Sequence, residues 1–169
     1  MFHVGDKVAY PMHGAGVIEA IEEKEVLGKK REYYIMRLPL GDMRVMIPIH
    51  SEEQVGLRQI IDDAGVCRIL EILKGESTKM STNWNRRYRA NMEKIKSGNI
   101  FAVAEVVRNL SMREKEKGLS TGERKMLESS KQILISEIIL ARNLKESDAA
   151  ALVDSVLDQH AVQAQGAVG

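Results

Sequence analysis

The sequence is poor in cysteine and in long apolar runs, and both shortages narrow the class of protein. Cys67 is the only cysteine, so an internal disulfide cannot form, and a lone thiol is typical of the reducing cytoplasm. No apolar run approaches the length of a transmembrane helix, and residues 1–6 lack the charged and apolar regions of a secretory signal. We therefore expect a cytoplasmic protein with no membrane partner.

Motifs for catalysis and for cofactor binding are missing as well. The chain contains no glycine-rich phosphate loop, no nucleophile elbow and no zinc-binding His-Glu-x-x-His helix. Its histidines are scattered, and none lies at a metal-ligand spacing from Cys67. They are His3, His13, His50 and His160. We predict that the protein is not an enzyme and uses no cofactor, metal ion or small-molecule substrate.

Prolines occur only in the first 48 residues, where the pattern predicts short strands joined by turns. The two glycines Gly14 and Gly16 allow a sharp bend after the first strand. Four or five short strands in so short a stretch are typical of a small bent sheet or an SH3-like barrel, which we place in residues 1–60. The predicted strands are residues 8–10, 16–26, 32–38 and 43–48.

A small sheet of this kind leaves strand edges exposed. Met43–Ile47, which contains Arg44 and Met46, is a candidate edge strand. It could pair with a strand of another protein, in which case the main chain would supply the affinity. Pairing within the chain explains the same pattern equally well.

From Ser51 onward the apolar spacing changes to that of amphipathic helices. A capping box at Ser51–Gln54 opens a short turn that ends at Gly56, a second one at Ser120–Glu123 marks a helix start, and Asn99 can cap another helix. We predict a compact bundle of four or five helices over residues 61–160, followed by a disordered tail at 161–169. The predicted helices are a short one at about 66–73, then 82–97, 99–117, 120–142 and 146–159.

The stretch Thr82–Arg89 contains the only tryptophan, in a chain with 4% aromatic residues. A helix capped by Ser81 or Thr82 would put Tyr88 one turn below Trp84. Trp84 could then act as a wedge against stacked bases while neighbouring arginines hold phosphates. On the residues alone the better interpretation is that Trp84 anchors a helical core and the arginines are merely solvated, because most tryptophans are buried anchors. The arginines are Arg86, Arg87 and Arg89.

Charge is unevenly distributed although the net charge is only +1. Residues 1–65 carry 8 Lys and Arg against 11 Asp and Glu, whereas residues 81–131 carry 12 against 6. A second basic cluster, which includes Arg124 and Lys125, surrounds the predicted helix start at Ser120, where free N–H groups and the helix dipole favour phosphate. The basic middle of the chain therefore suits a polyanion, and the acidic ends suit another partner.

Several motifs in register make the chain resemble the CarD/CdnL transcription regulators of bacteria over nearly its whole length. The first part alone also resembles the polymerase-binding module of transcription-repair coupling factors, but the chain has no helicase motif. The matching motifs are Val4–Val8, Tyr10–Gly14, Glu32–Tyr34, Pro48, Thr82–Tyr88, Ala104–Arg108 and Gly118–Leu127.

The resemblance implies a two-domain architecture in which a Tudor-like module at 1–60 precedes a helical DNA-binding domain at 61–160. The first would add to a sheet of the RNA polymerase β subunit. The second would reach promoter DNA at the upstream edge of the transcription bubble, where Trp84 enters the minor groove and stabilises the open complex. The resemblance assigns DNA-backbone contacts to Arg86, Arg87 and Lys125.

Polymerase contacts are implied for Lys24, Val26 and Met46, and the candidate edge strand adds Arg44. The best-known members of the family carry arginine where this chain has Lys24 and Met46, so the resemblance implies that the charged part of the contact is absent at Met46 while the strand pairing is kept. We expect a monomer that regulates transcription. Two alternatives remain at this point: an adaptor that contacts only polymerase and buries Trp84 in its core, and an autonomous DNA-binding repressor.

Overall fold

The computed structural model describes residues 1–51 and 56–166, and its first part is a five-stranded antiparallel sheet with the order β4-β3-β2-β1-β5. A 3-10 turn at Ile49–Ser51 follows the fourth strand, and residues 52–54 of the predicted capping box lie outside the described residues. The strands are β1 (Lys7–Tyr10), β2 (Gly14–Val26), β3 (Lys29–Arg37), β4 (Arg44–Pro48) and β5 (Arg58–Gln59).

The long hairpin of β2 and β3 dominates this sheet. Its turn uses Leu27 and Gly28, both with positive φ, and β2 carries an irregularity between Ile18 and Ala20. Alternate residues on the strands fill the core of the sheet, as period-two spacing predicts. These core residues are Val8, Ile18, Tyr34, Met36 and Ile47. The strand positions predicted from sequence are confirmed, and so is the order of a small Tudor-like β part before helices.

Within the described residues, five helices follow the sheet, and their caps show where local sequence decides the fold. Asn99 and Ser120 are N-caps, as predicted. The helix that begins at Trp84 is capped by Asn83, not by Ser81 or Thr82, because the Asn83 side chain accepts a hydrogen bond from the Arg86 amide. The helices are α1 (Asp63–Lys74), α2 (Trp84–Lys96), α3 (Ile100–Glu116), α4 (Thr121–Arg142) and α5 (Glu146–Gly166).

The last helix is longer than the apolar spacing suggested. Helix α5 continues to Gly166, whereas the sequence-based end was near Gln159 and the disordered tail was placed at 161–169. That boundary is too early, since residues 161–165 are alanine, glutamine and valine with no proline or glycine to stop a helix. Residues 167–169 lie outside the described residues. None of the described helices is apolar enough over sufficient length to cross a membrane.

The helices build two apolar clusters. The larger one joins α1, α3, α4 and α5 through residues such as Val66, Val107 and Ile138. The smaller one contains Leu110 and Met126, with Tyr88 and other partly buried side chains of α2 packed against it. Helix α2 is therefore attached to the bundle through one cluster, and its first turn lies over the start of α4.

The sheet rests directly on α4. The Ala15 amide donates to Ser136 Oγ at 2.9 Å. At Gly14, whose φ is +105°, an added Cβ would lie 2.7 Å from the same oxygen, so only glycine allows this approach. Arg58 on β5 makes two hydrogen bonds, of 2.9 and 2.8 Å, to the buried carboxylate of Glu137. Hydrogen bonds from β2 and β5 therefore hold the sheet against helix α4.

Candidate nucleic-acid interface

Trp84 is the first residue of α2, and its side chain is 42% exposed. The indole stacks on Tyr88, with ring centroids 4.9 Å apart and an angle of 20° between the planes. The one-turn spacing of the two rings predicted this stack. Trp84 belongs to none of the buried clusters in the described residues, so its interpretation as a core anchor is wrong.

Ser120, the N-cap of α4, fixes the edge of the indole. Trp84 Nε1 donates to Ser120 Oγ at 2.9 Å. The same oxygen accepts the Glu123 amide at 3.2 Å and donates to Glu123 Oε1 at 3.2 Å, which completes the capping box. An added Cβ at Gly122 would lie 3.6 Å from Trp84 Cζ2, so the ring also packs on the first turn of α4.

Arg87 is not on the surface that the sequence assigned to it. Its side chain is only 4% exposed and forms a bidentate pair with Glu123, with Nε–Oε2 at 2.8 Å and Nη2–Oε1 at 3.1 Å. Nη1 donates to the carbonyl of Ser81 at 3.1 Å. In the free protein, Arg87 therefore joins α2 to α4 instead of facing a phosphate, because helical spacing turns it toward the bundle.

The buried pair shifts the titration of both partners. The hydrogen bonds from Arg87 hold the pKa of Glu123 below its ordinary value of 4.5, against the opposing effect of burial. The hydrogen bond to Glu123 likewise raises the pKa of Arg87. Both groups are therefore charged at neutral pH, and the network that ends at Trp84 rests on a complete ion pair.

Four other exposed cations lie on the first two turns of the two helices that meet at Trp84. Arg86 and Arg89 lie on α2, and Arg124 and Lys125 lie on the first turns of α4. All four side chains are exposed, and none forms an ion pair with any residue of the described ranges. We call Trp84 with these four residues the wedge surface. An exposed ring beside unpaired guanidinium and ammonium groups can stack on bases and bind phosphates.

The connection that leads into α2 is also held in place. Asn109 Nδ2 donates to Thr78 Oγ1 at 2.8 Å, and the Thr78 amide donates to Asn109 Oδ1 at 3.1 Å. Arg108, beside it on α3, is buried and donates to the Ile72 carbonyl at the end of α1. The connection is thus attached to α3 at Thr78, six residues before the first residue of α2.

The sequence-predicted polymerase residues lie on the sheet, away from the wedge surface. Lys24 and Val26 are near the tip of the β2–β3 hairpin, where Lys24 pairs with Glu22 at 3.2 Å and Val26 is exposed. Arg44 and Met46 lie on β4, which is one of the two edge strands of the sheet, as predicted, and which pairs on its inner side with β3.

The register separates these two pairs of residues. Lys24 lies opposite Arg31 of β3, and Met46 lies opposite Ile35 of the same strand. Four residues of strand correspond to roughly 13 Å along the sheet, and β2 and β4 lie on either side of β3, so the two positions are separate points on one face of the sheet. We call β4 with the exposed end of the hairpin the docking edge.

The structure also shows what the sequence alone did not assign. The sequence predicts the capping box at Ser120 but not the hydrogen bond from Trp84 to it, because a capping box does not indicate which side chain of another helix contacts the cap.

No group of three or more His, Cys, Asp or Glu residues in the described part of the chain could hold a metal ion.

Comparison with known proteins covers both halves of the chain. The family model described as "CarD-like/TRCF RID domain" matches residues 2–61, and "CarD, C-terminal domain" matches residues 68–154. The "Putative transcription factor YdeB" of Bacillus subtilis (strain 168) is 44% identical over 147 residues, which cover 86% of this chain and 95% of that protein.

A solved structure is similar to part of the chain. The solution NMR structure of the 72-residue N-terminal domain of Myxococcus xanthus CarD is 36% identical, with 35% of this chain and 79% of that chain covered and a TM-score of 0.31. The two domain matches and the relative of nearly equal length show the family. The chain belongs to the CarD/CdnL family of bacterial transcription regulators.

Proposed function

We propose that this protein binds the RNA polymerase β subunit through the docking edge and stabilises the promoter open complex through the wedge surface. The observation that supports this most strongly is the exposed indole of Trp84, which is stacked on Tyr88 and hydrogen-bonded to Ser120 where two helices begin. Those helices also carry four cations without an ion pair in the described residues. The function is non-enzymatic and needs no cofactor. In this proposal, a Tudor-like docking domain at 1–60 and a DNA-binding domain at 61–160 act together in a monomer that is located in the cytoplasm.

Trp84 favours opened DNA over closed DNA for an energetic reason. Stacking an aromatic ring on an unpaired base contributes about 1–3 kcal/mol, whereas unstacking a closed step costs a few kcal/mol. The ring therefore binds the upstream edge of an existing bubble better than it binds duplex. A ligand shifts an equilibrium only by such a difference in affinity, and about 1.4 kcal/mol changes the open-to-closed ratio tenfold.

The exposed cations add orientation but cannot hold promoter DNA alone. Arg86, Arg89, Arg124 and Lys125 offer at most a few phosphate contacts, each of which weakens as salt rises. Attachment to polymerase removes the need for tight independent binding, since it raises the local concentration of the wedge surface beside the bubble. Arg87 takes no direct part, because its guanidinium is occupied by Glu123.

Docking through β4 fits the position of that strand in the sheet. An edge strand can accept a partner strand by main-chain hydrogen bonds, while alternate side chains tune the fit. Met46 is 45% exposed there, and Val26 at the hairpin tip is equally exposed. Their apolar contact would assist a pairing whose main contribution comes from the backbone.

The test is the lifetime of an open complex formed by purified cognate polymerase on one promoter. We compare no factor, the wild type and Trp84→Ala, after checking by circular dichroism that the variant is folded. The wild type should lengthen the lifetime about tenfold, and the variant should lose most of that gain. A wild type that binds polymerase but leaves the lifetime unchanged would overturn the proposal and favour an adaptor.

A gel shift on the bare promoter fragment separates the remaining alternative. We expect weak binding at physiological salt, because only a few phosphate contacts are available. Tight and sequence-selective binding without polymerase would favour an autonomous repressor instead.

A further inference from the structure

We propose that Ser120 is a positioning residue that holds the Trp84 indole ready for insertion before DNA is met. The proposal rests on the proposed function of the wedge surface. It is supported by the hydroxyl of Ser120, which accepts a hydrogen bond from the indole N–H at 2.9 Å and at the same time forms part of the capping box of α4. The residue would act through Trp84 and would not itself need to touch DNA.

The geometry makes the hydroxyl the centre of a closed network. It accepts from Trp84 and from the Glu123 amide, and it donates to Glu123 Oε1, so both of its lone pairs and its proton are used. Glu123 is 1% exposed and fixed by two hydrogen bonds from Arg87. The atom that holds the indole is therefore itself held by buried groups.

The network restricts a side chain that would otherwise be mobile. Trp84 is the first residue of its helix, has 42% of its surface exposed and packs on Tyr88 on one side. The stack fixes the plane of the ring but permits sliding, whereas the bond from Nε1 fixes its direction within that plane. A ring fixed before binding loses less freedom on insertion, and this favours the open complex.

Removing the hydroxyl can be separated from loss of the helix cap. Ser120→Gly keeps most of the capping preference, because glycine is nearly as good an N-cap as serine. Asn99→Gly is the matched control, since Asn99 caps α3 in the same way by accepting the Phe101 amide and has no contact with Trp84. Ser120→Thr restores a hydroxyl and is the conservative rescue.

The first readout needs neither polymerase nor DNA. Trp84 is the only tryptophan, so time-resolved fluorescence anisotropy of the full chain reports on this ring alone. In Ser120→Gly we expect a larger fast component of depolarisation than in the wild type, in Asn99→Gly and in Ser120→Thr. Unchanged ring motion in Ser120→Gly would overturn the proposal whatever the protein does in transcription.

The second readout is the open-complex lifetime at saturating factor. The lifetime gain given by Ser120→Gly should be about threefold smaller than that given by the wild type, because one side chain that was immobilised is now free. Ser120→Thr and Asn99→Gly should keep the full gain. A mobile ring with an undiminished lifetime gain would contradict the positioning role. No gain with the wild type would instead refute the proposed function, while the anisotropy result would still decide whether Ser120 orients the ring.

Discussion

The wedge surface and the docking edge hold their side chains in opposite ways. Trp84 is fixed by stacking, by a hydrogen bond to Ser120 and, behind it, by a buried ion pair. On the docking edge, Met46 is 45% exposed, and the ionic partner of Lys24 among the described residues is the exposed Glu22. The difference follows from what each surface would recognise.

A ring that inserts into a stack of bases must adopt one orientation, and fixing that orientation before binding reduces the entropy lost on insertion. Pairing at a strand edge depends on the main chain, whose position the sheet already sets, and loose side chains then adapt to the partner. We therefore expect substitutions in the buried ion pair behind Trp84 to have large effects on stability, and truncations of side chains on the docking edge to have small effects on polymerase binding.

The largest expected effect comes from neutralising Glu123. Glu123→Gln leaves Arg87 buried without a counter-charge, and removing one partner of a buried pair costs about 3 kcal/mol or more. We expect the free energy of unfolding in urea to fall by that amount. The matched control is Glu128→Gln, an exposed position on the same helix without an ion pair in the described structure, which should change stability by less than about 0.5 kcal/mol.

A double variant checks the physical cause. Replacing both partners by methionine removes the unpaired charge together with its counter-charge, so Arg87→Met with Glu123→Met should recover much of the lost stability. A single change at Glu123 that costs less than about 1 kcal/mol would show that the pair is not what fixes α2 to α4.

Acidification should reproduce part of the Glu123 effect. Because the pKa of Glu123 is lowered below 4.5 in the folded protein by Arg87, the pair contributes its full stability above that value. This contribution should be lost as the pH falls below 4.5 and through the lower folded pKa. Urea unfolding at stepwise lower pH should therefore show the wild type approaching Glu123→Gln, and a constant gap between them would contradict the assignment.

The exposed cations should have intermediate effects that depend on salt. If Lys125 and Arg86 each contact a phosphate, as proposed, removing either one should reduce the slope of log affinity against log salt by about 0.7 to 0.9. The measurement is binding of a forked promoter fragment by the complex of polymerase and factor over a series of salt concentrations. Lys145→Ala, an exposed lysine outside the wedge surface, is the matched control and should leave the slope unchanged.

Truncation on the docking edge should have the smallest effect. Met46→Ala removes an exposed side chain while leaving the β4 backbone in place, so polymerase binding should weaken by less than about fivefold, or roughly 1 kcal/mol. Titration calorimetry with a purified β-subunit fragment measures this directly. A loss of a hundredfold or more would show that side chains, and not strand pairing, carry the affinity.

Sequence alone predicted the features that depend on local spacing. Strand alternation, the caps at Asn99 and Ser120 and the stack of Tyr88 beneath Trp84 each involve residues within a turn or a strand of one another. The physical rules for such neighbours act over a few residues, so the pattern is visible without a structure. The cap of α2 shifted only from Ser81 or Thr82 to Asn83.

Contacts between distant parts of the chain could not be predicted in this way. Arg87 looked like one of three equivalent arginines, and only the packing of α2 on α4 shows that it meets Glu123, 36 residues away. The bond from Trp84 to Ser120 spans the same separation. Which face of α2 is buried depends on tertiary packing, and the spacing of the three arginines does not indicate which face that is.

The most direct test of the account is a titration of open-complex lifetime against factor concentration, for the wild type and for Trp84→Ala. Because the proposed function assigns docking and wedging to separate surfaces, the variant should reach half of its effect at the same concentration as the wild type but level off at a much shorter lifetime. A variant that needs far more protein yet reaches the full lifetime would contradict the account, since Trp84 would then serve attachment and not the stability of the bubble.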